Sequence, residues 1–242
     1  GLWHLYRFNR EDNIEAQRLF RDACDASPNF APALSGLTHA LYYAFMHGYA
    51  EDRTTLLQQA YETGRAAVAA DERDADTHFA LGRILYLRRD LDASTAEFEM
   101  AISQNQNFAQ VHMGLGTALV YGGQFDRCIE SCDLALRLSP NDPVQWTIQT
   151  VKGLALLCMG RIEDAVDALQ QGTRQPTAAW TAHCVLASAL ANLDDTSRAQ
   201  IAVDETLRIK PDLNATHLRE IFAFRNPTHF DILIDGLRKA GF

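Results

Sequence analysis

Apolar and small residues recur along this sequence at an interval of 34 positions. In the middle of the chain, Leu81-Gly82 returns as Leu115-Gly116. Further pairs 34 residues apart are His78 and His112, Leu85 and Leu119, Ala101 and Ala135, Leu156 and Leu190, Ala165 and Ala199, and Ala168 and Ala202. A period of this length accommodates two antiparallel helices with a short turn. The pattern therefore predicts an all-α chain of stacked helix pairs.

Four kinds of position within the repeat have a clear packing role. Small residues in the first helix (Gly82, Gly116, Gly153, Ala187) and in the second (Ala60, Ala165, Ala199) let paired helices approach closely. Bulky residues in the second helix (Phe20, Phe98, Leu169, Val203) fill the space between pairs, and prolines just past it (Pro28, Pro140, Pro211) end it. Together these positions resemble the tetratricopeptide repeat. The resemblance predicts a right-handed superhelical solenoid with C-terminal capping helices.

We interpret residues 1–242 as one solenoid domain. Its units are a partial unit over 1–30, then 31–74, 75–108, 109–142, 143–176 and 177–213, with a cap over 214–242. The second unit is longer than the others around Gly48–Thr55, and the fifth is expected to have a longer first helix from Pro143 to Met159. The cap is expected to contain helices over Asn214–Phe224 and Pro227–Ala240, lying over the last apolar face.

Two further features of the chain lead to expectations. Glu72 and Gln106 stand where other turns carry proline, so those two turns are expected to be looser. The sequence does not begin with Met and has no N-terminal cap comparable to 214–242. We therefore expect a fragment of a longer protein.

Charge and cysteine content narrow the function classes. The formal net charge is -9 and the basic residues are scattered, which argues against nucleic-acid binding by this chain because phosphates would be repelled. The five cysteines (Cys24, Cys128, Cys132, Cys158, Cys184) are odd in number and lie within helical patterns, which favours free thiols in the cytoplasm. No apolar run is long enough for a membrane span, so no membrane partner is expected.

No catalytic, cofactor-binding or metal-binding arrangement is recognisable in the sequence, so we predict a chain that is not an enzyme. Cys128 and Cys132 share a helical face, but both fall at small packing positions and are interpreted as core residues. His39, Tyr43 and His47 share another face and are interpreted as the edge of a polar groove. The acidic run 71–76 is interpreted as a solvated turn with an acidic N-cap.

The concave face of such a solenoid, lined by the first helix of each pair, is its usual binding surface. Seven residues are predicted to form a partner groove there. They are Tyr42, Tyr43, Phe79, Arg83, Tyr86, Met113 and Tyr121. Tyrosine and arginine are typical anchors of interfaces, and such a groove would take a helix or an extended peptide. Alternatively, some of these aromatic rings pack against neighbouring units or a missing N-terminal segment.

Short phrases along the chain resemble a more specific group. They are Gly1-Leu-Trp-His-Leu-Tyr-Arg-Phe8, Asn107-Phe-Ala-Gln-Val-His-Met-Gly-Leu-Gly116, Leu138-Ser-Pro-Asn-Asp-Pro143 and Gly236-Leu-Arg-Lys-Ala-Gly241. They are similar to the C-terminal repeats of proteobacterial class III adenylate/guanylate cyclase-like proteins, and related repeats follow winged-helix transcriptional regulators. This resemblance implies a docking module of a bacterial signalling protein, or its regulatory or oligomerisation arm. The implied partner is another protein, the protein's own upstream domain or a second copy in a homodimer; a small-molecule ligand is a further alternative.

Overall fold

The computed structural model describes all residues from Gly1 to Phe242, and every regular element in it is a helix. The fourteen helices are α1 (Leu2–Leu5), α2 (Arg10–Ala26), α3 (Ala31–Met46), α4 (Arg53–Ala70), α5 (Ala75–Leu87), α6 (Leu91–Gln104), α7 (Ala109–Gly122), α8 (Phe125–Leu138), α9 (Gln145–Cys158), α10 (Ile162–Thr173), α11 (Trp180–Asn192), α12 (Thr196–Ile209), α13 (Ala215–Ile221) and α14 (Pro227–Lys239). The predicted all-α fold is confirmed.

Short polar side chains fix where many of these helices begin. Seven helices start after an Asn or Asp whose side chain accepts a hydrogen bond from a backbone N–H two or three positions further on. The seven caps are Asn9, Asp52, Asp74, Asp90, Asp195, Asn214 and Asn226. Each such bond satisfies a donor that has no partner inside the helix and is worth about 1 kcal/mol.

The helices are grouped into two compact units, Gly1–Gly114 and Leu115–Phe242. In unit 1, α3 pairs with α4 and α5 with α6, while α3 also packs on α5. In unit 2, α9 pairs with α10 and α11 with α12, while α9 also packs on α11. The first helices of successive pairs therefore lie side by side within each unit, and we call the surface that they form the first-helix face.

Bulky side chains of second helices are seated on glycines of first helices. The sequence predicted the small and the bulky positions separately, but not that one rests on the other. Phe98 of α6 is buried, and a Cβ at either Gly82 or Gly114 would lie 2.8 Å from its ring. In the same way, Leu169 of α10 leaves no room for a Cβ at Gly153 of α9. These contacts are the physical basis of the small and bulky positions of the repeat.

The second repeat, residues 31–74, is longer than the others in its helices as well as in its loop. α3 has 16 residues and α4 has 18, against 13 and 14 in α5 and α6. The expectation of a longer first helix in the fifth repeat, residues 143–176, is wrong: α9 has 14 residues and begins at Gln145. Pro143 lies in the preceding turn, so the additional residues there extend the connection rather than the helix.

The two turns that lack proline are each held by a histidine. The Nε2 atom of His78 is 2.9 Å from the carbonyl oxygen of Glu72, and that of His112 is 2.9 Å from the carbonyl oxygen of Gln106. Both histidines are buried. The expectation of looser turns is therefore wrong, because a side-chain hydrogen bond repeated after 34 residues ties each turn to the following first helix.

Replacing His112 by leucine is expected to destabilise the protein by about 1–3 kcal/mol, because the carbonyl of Gln106 loses its hydrogen-bond donor. Adding Gln106→Pro should recover about 0.4–1 kcal/mol, since the preceding Asn105 has the extended backbone that proline requires. Urea unfolding of the single and double variants measures both effects. A His112→Leu protein as stable as the wild type would show that the bond does not hold the turn.

Candidate functional site

An aromatic surface covers the first-helix face of unit 1, and we call it the aromatic face. It comprises Tyr6, Phe8, Tyr42, Tyr43, Arg83 and Tyr86. Tyr42 and Tyr43 come from α3, and Arg83 and Tyr86 from α5. The inner sides of Tyr42 and Tyr43 pack against the apolar core around Leu41 and Ala44, and this contact holds the two rings on the aromatic face.

The guanidinium group of Arg83 is stacked on aromatic rings. Its Cζ atom lies 3.4 Å from the ring centroid of Tyr42, 4.8 Å from that of Tyr43 and 5.2 Å from that of Phe79. Each of these distances is within the range of a cation–π interaction. The rings hold the guanidinium in one place on the face, so that its position is defined before any partner arrives.

A chain of hydrogen bonds connects Arg83 to a carboxylate. Arg83 Nη1 is 3.3 Å from His39 Nδ1, and His39 Nε2 is 3.1 Å from Asp76 Oδ1. Because arginine has only donors, His39 Nδ1 accepts and Nε2 carries the proton that is donated to Asp76. Ser35 Oγ donates to Asp76 Oδ2 at 2.7 Å. The histidine thus fixes the arginine and the carboxylate at the same time.

The pKa of Asp76 reflects this environment. Burial by itself raises the pKa of this carboxyl group, but the hydrogen bonds from His39 and Ser35 and the positive charge of Arg83 outweigh it, so the pKa is lowered from its ordinary value. Asp76 is therefore a bound carboxylate at neutral pH. This part of the acidic run 71–76 is not the solvated turn that the sequence suggested, whereas Asp74 is the N-cap of α5 as expected.

Substituting phenylalanine for His39 is expected to raise the pKa of Asp76, because burial would then be opposed by fewer favourable contacts. In the wild type, the stability contributed by the carboxylate is present above its ordinary pKa of about 3.9 and is lost as the pH falls through the lowered value. A carbon-13 NMR titration of the carboxyl group measures the shift. His47→Phe, at the exposed end of the same helix, is the control; equal pKa values in both variants would contradict the hydrogen-bonded chain.

The N-terminal segment contributes rings that the sequence analysis did not assign to a site. The ring of Phe8 meets that of Tyr43 edge-on at 5.1 Å between centroids, and Tyr49 Oη donates to the Phe8 carbonyl at 3.2 Å. Burial and the neighbouring Tyr43 raise the pKa of Tyr6. Phe8 and Tyr6 are nevertheless largely exposed, as is Trp3 nearby in the sequence. The density of aromatic residues in 1–8 was the signal available in the sequence.

The seven residues predicted for the groove are not equivalent in the structure. Tyr42, Tyr43, Arg83 and Tyr86 are half-buried on the aromatic face, and Met113 of α7 is half-buried in unit 1. Phe79 is only 3 % exposed, packed against the rings of His39, Phe98 and Phe108. Tyr121, in unit 2, is 7 % exposed with its ring 5.2 Å from that of Phe224. Phe79 and Tyr121 are therefore buried among neighbouring rings rather than exposed on a groove.

The cysteines are placed as packing residues, and the metal-ligating residue types are dispersed. Cys128 and Cys132 are fully buried in α8, as their packing positions predicted. A hydrogen bond with Cys132 and burial raise the pKa of the Cys128 thiol, and burial raises that of Cys158 to about 12. Such thiols stay protonated and are poor nucleophiles. No group of three or more His, Cys, Asp or Glu side chains is arranged to hold a metal ion.

The helices also bear on membrane association. None of the fourteen combines the length and the apolar character that crossing a bilayer requires.

Comparison with known proteins agrees with the fold. Residues 150–214 match the tetratricopeptide repeat family model. No curated protein matches the chain in sequence. The matched residues lie within unit 2, so this part of the chain is similar to tetratricopeptide repeats.

Solved structures with the same fold cover most of the chain. YrrB, described as a TPR protein with an unusual peptide-binding site, is 19 % identical over 84 % of this chain and 96 % of its own, with a TM-score of 0.55. The hetero-tetramer Cut9–Hcn1 of the APC/C is 19 % identical over 94 % of this chain and 40 % of its own, with a TM-score of 0.72. The pilF protein of Pseudomonas aeruginosa is 18 % identical over 84 % of this chain and 90 % of its own, with a TM-score of 0.60. At these identities the likeness defines the fold.

Proposed function

We propose that this chain is a non-catalytic docking module that binds a segment of another protein on the aromatic face of unit 1. The observation that carries the proposal is the stacked Arg83, held between Tyr42, Tyr43 and His39. Arginine and tyrosine are the residues that most often dominate interface energies, and a prearranged side chain loses little entropy on binding. The peptide-binding site of YrrB is consistent with this role for the fold.

The chemistry of the face indicates the kind of segment that it takes. The exposed rings of Tyr6 and Phe8 offer apolar area next to Tyr43, and Arg83 offers a fixed positive charge beside them. Arginine recognises carboxylates through paired N–H groups. We therefore expect a helix or extended peptide in which an apolar or aromatic residue is followed closely by an acidic one.

The test starts from peptides selected on the intact chain from a displayed library, whose affinities are then measured for variants. Arg83→Ala is expected to weaken binding by at least about 2 kcal/mol, or roughly thirtyfold, as an anchor residue does. Arg88→Ala is the matched control, because Arg88 is also stacked on a tyrosine, Tyr61 of α4, at 4.2 Å but outside the aromatic face. Both variants should retain the helical circular-dichroism signal of the wild type.

Either of two results would contradict the proposal. One is a set of selected peptides that bind the Arg83→Ala and wild-type proteins equally well. The other is an equal loss of affinity in the Arg88→Ala protein, which would point to a general effect on unit 1 rather than to the aromatic face.

A second proposal concerns the context of the module. The phrases that resemble class III cyclase-like proteins, among them Asn107–Gly116, support a role as the regulatory or oligomerisation arm of a bacterial cyclase or winged-helix regulator. The partner would then be the protein's own upstream domain or a second copy. Deleting residues 1–242 from the full-length protein should change its cyclase or DNA-binding activity, and an unchanged activity would rule this role out.

A further inference from the structure

The C-terminal helix α14 does not stack on the end of the last pair alone, as a cap over 214–242 would; it lies across the first-helix face of unit 2. It packs on α11 and on α9, the first helices of two successive pairs. Near its start, the ring of His229 meets that of Phe125 at 4.8 Å, beyond the end of α7. Near its end, Lys239 Nζ donates to Asn192 Oδ1, at the end of α11. The helix thus occupies in unit 2 the kind of surface that the aromatic face occupies in unit 1.

The contacts of α14 follow the pattern of a helix bound in a groove. Its buried residues are Phe230, Leu233, Ile234, Gly236 and Leu237, and the opposite side is polar. Anchors at the first, fourth, fifth and eighth positions are the usual signature of an amphipathic helix that inserts one face into an apolar groove. In this chain the ligand and the groove belong to the same molecule.

The preceding segment is tied to the same face. The backbone N–H of Arg225 donates to the carbonyl of Tyr121 at 2.9 Å, and the ring of Phe224 covers that of Tyr121. Phe222 meets Trp180, the first residue of α11, edge-on at 6.3 Å between ring centroids. The chain from Phe222 onward therefore crosses the face before α14 begins.

The interface is close but imperfectly satisfied. A Cβ at Gly236 would lie 2.7 Å from the Ser188 carbonyl oxygen and 2.8 Å from Asn192 Nδ2, so the α14 backbone touches α11 directly. Two buried polar atoms, Ser188 Oγ of α11 and His229 Nδ1 of α14, have no hydrogen-bond partner. Both lie in the contact between α14 and the rest of unit 2. Leaving a buried polar atom without a partner costs free energy. This cost sets the α14 contact apart from an ordinary core contact.

We propose that the first-helix face of unit 2 is a second docking site, that α14 is its resident ligand, and that its partner is an amphipathic helix of another protein bearing the same stripe of one aromatic and three aliphatic anchors. The resident helix supplies the argument for the partner, because it shows which shape and chemistry the face accepts. The two unsatisfied atoms weaken the hold on α14. A helix that satisfies Ser188 Oγ of α11 displaces α14, and His229 of the released helix then regains water as its partner. Binding at this site releases the C-terminal segment.

The experiment uses the full chain and a fluorescent peptide of residues 226–242 with the wild-type sequence. Gly236→Ala in the chain is expected to weaken the docking of its own α14 through the contact with Ser188, while favouring the helix itself. Peptide affinity should then rise at least tenfold over the wild-type chain. Gly122→Ala is the matched control, because a Cβ there meets nothing within 4 Å, and its affinity should equal that of the wild type.

Further measurements decide between the occupants. A peptide carrying Leu233→Asp should not bind, and Arg83→Ala in the chain should not change the affinity, which separates this site from the aromatic face. If the Gly236→Ala chain takes up no more peptide than the Gly122→Ala chain, the proposal is overturned. It is also overturned if the Gly236→Ala chain dimerises by exchanging α14, since the occupant would then be a second copy.

Hydrogen exchange of the wild-type protein gives an independent result. The amides of α14 are expected to exchange through local opening, faster than the buried amides of α9 and α11. Equal protection of all three helices would show that α14 is a permanent part of the core and would overturn its role as a displaceable ligand.

Discussion

Replacing Phe98 by alanine is expected to destabilise the protein by about 3–5 kcal/mol, the largest effect of any single change considered for unit 1. The side chain is 1 % exposed, and its ring is seated between Gly82 of α5 and Gly114 of α7. Glycine has no side chain that can move into the space left by the ring. The cavity therefore stays open, and the cost is expected at the upper end of the range for buried aromatic residues.

Denaturant unfolding measures this loss, with Met100→Ala as the control. Met100 lies on the same helix but is 45 % exposed, so its truncation should change the stability by less than about 0.5 kcal/mol. A Phe98→Ala protein that loses no more than the control would mean that unit 1 is not held together by rings seated on glycines.

The second large effect is expected where Leu169 of α10 meets Gly153 of α9. Leu169→Ala should cost about 2–5 kcal/mol because the side chain is fully buried. Gly153→Ala alone should cost about 1–3 kcal/mol, since its Cβ would lie 2.8 Å from Leu169 Cδ2. In the double variant the new methyl group enters the space that the leucine has left, so the loss should be smaller than the sum of the two.

A double-mutant cycle checks this coupling, which for residues in contact is about 0.5–3 kcal/mol. Gly122→Ala combined with Leu169→Ala serves as the uncoupled pair, because Gly122 has no neighbour for a Cβ to meet. Additive losses at 153 and 169 would contradict the assignment of these two residues as one packing unit.

Part of the candidate site could be predicted from the sequence. The inward side of a first helix follows from helical periodicity, which placed Tyr42, Tyr43, Arg83 and Tyr86 together on one surface. Periodicity gives the direction in which a side chain points but not how deeply other residues bury it. Phe79 and Tyr121 point to the same side, yet Phe79 is covered by Phe98 and Phe108 and Tyr121 by Phe224.

Other parts of the site depend on residues far apart in the sequence. His39 and Asp76 are 37 residues apart, and their bond arises only because α3 and α5 pack side by side. Phe8 reaches Tyr43 because the N-terminal segment folds back on α3, for which no repeat position gives a signal. The histidines at 78 and 112 were visible as equivalent positions, but their bonds to the preceding turn were not.

The sequence by itself determined the helices, the 34-residue repeat and its small and bulky positions, because these depend on local propensity and on contacts between adjacent elements. Only the tertiary structure decided where α14 lies. Its stripe from Phe230 to Leu237 predicts an apolar partner surface, but a cap position and the first-helix face of unit 2 both offer one. The choice depends on the fit of Gly236 against Ser188 and of Phe224 against Tyr121, which are contacts between residues about 50 and 100 positions apart that no local pattern encodes.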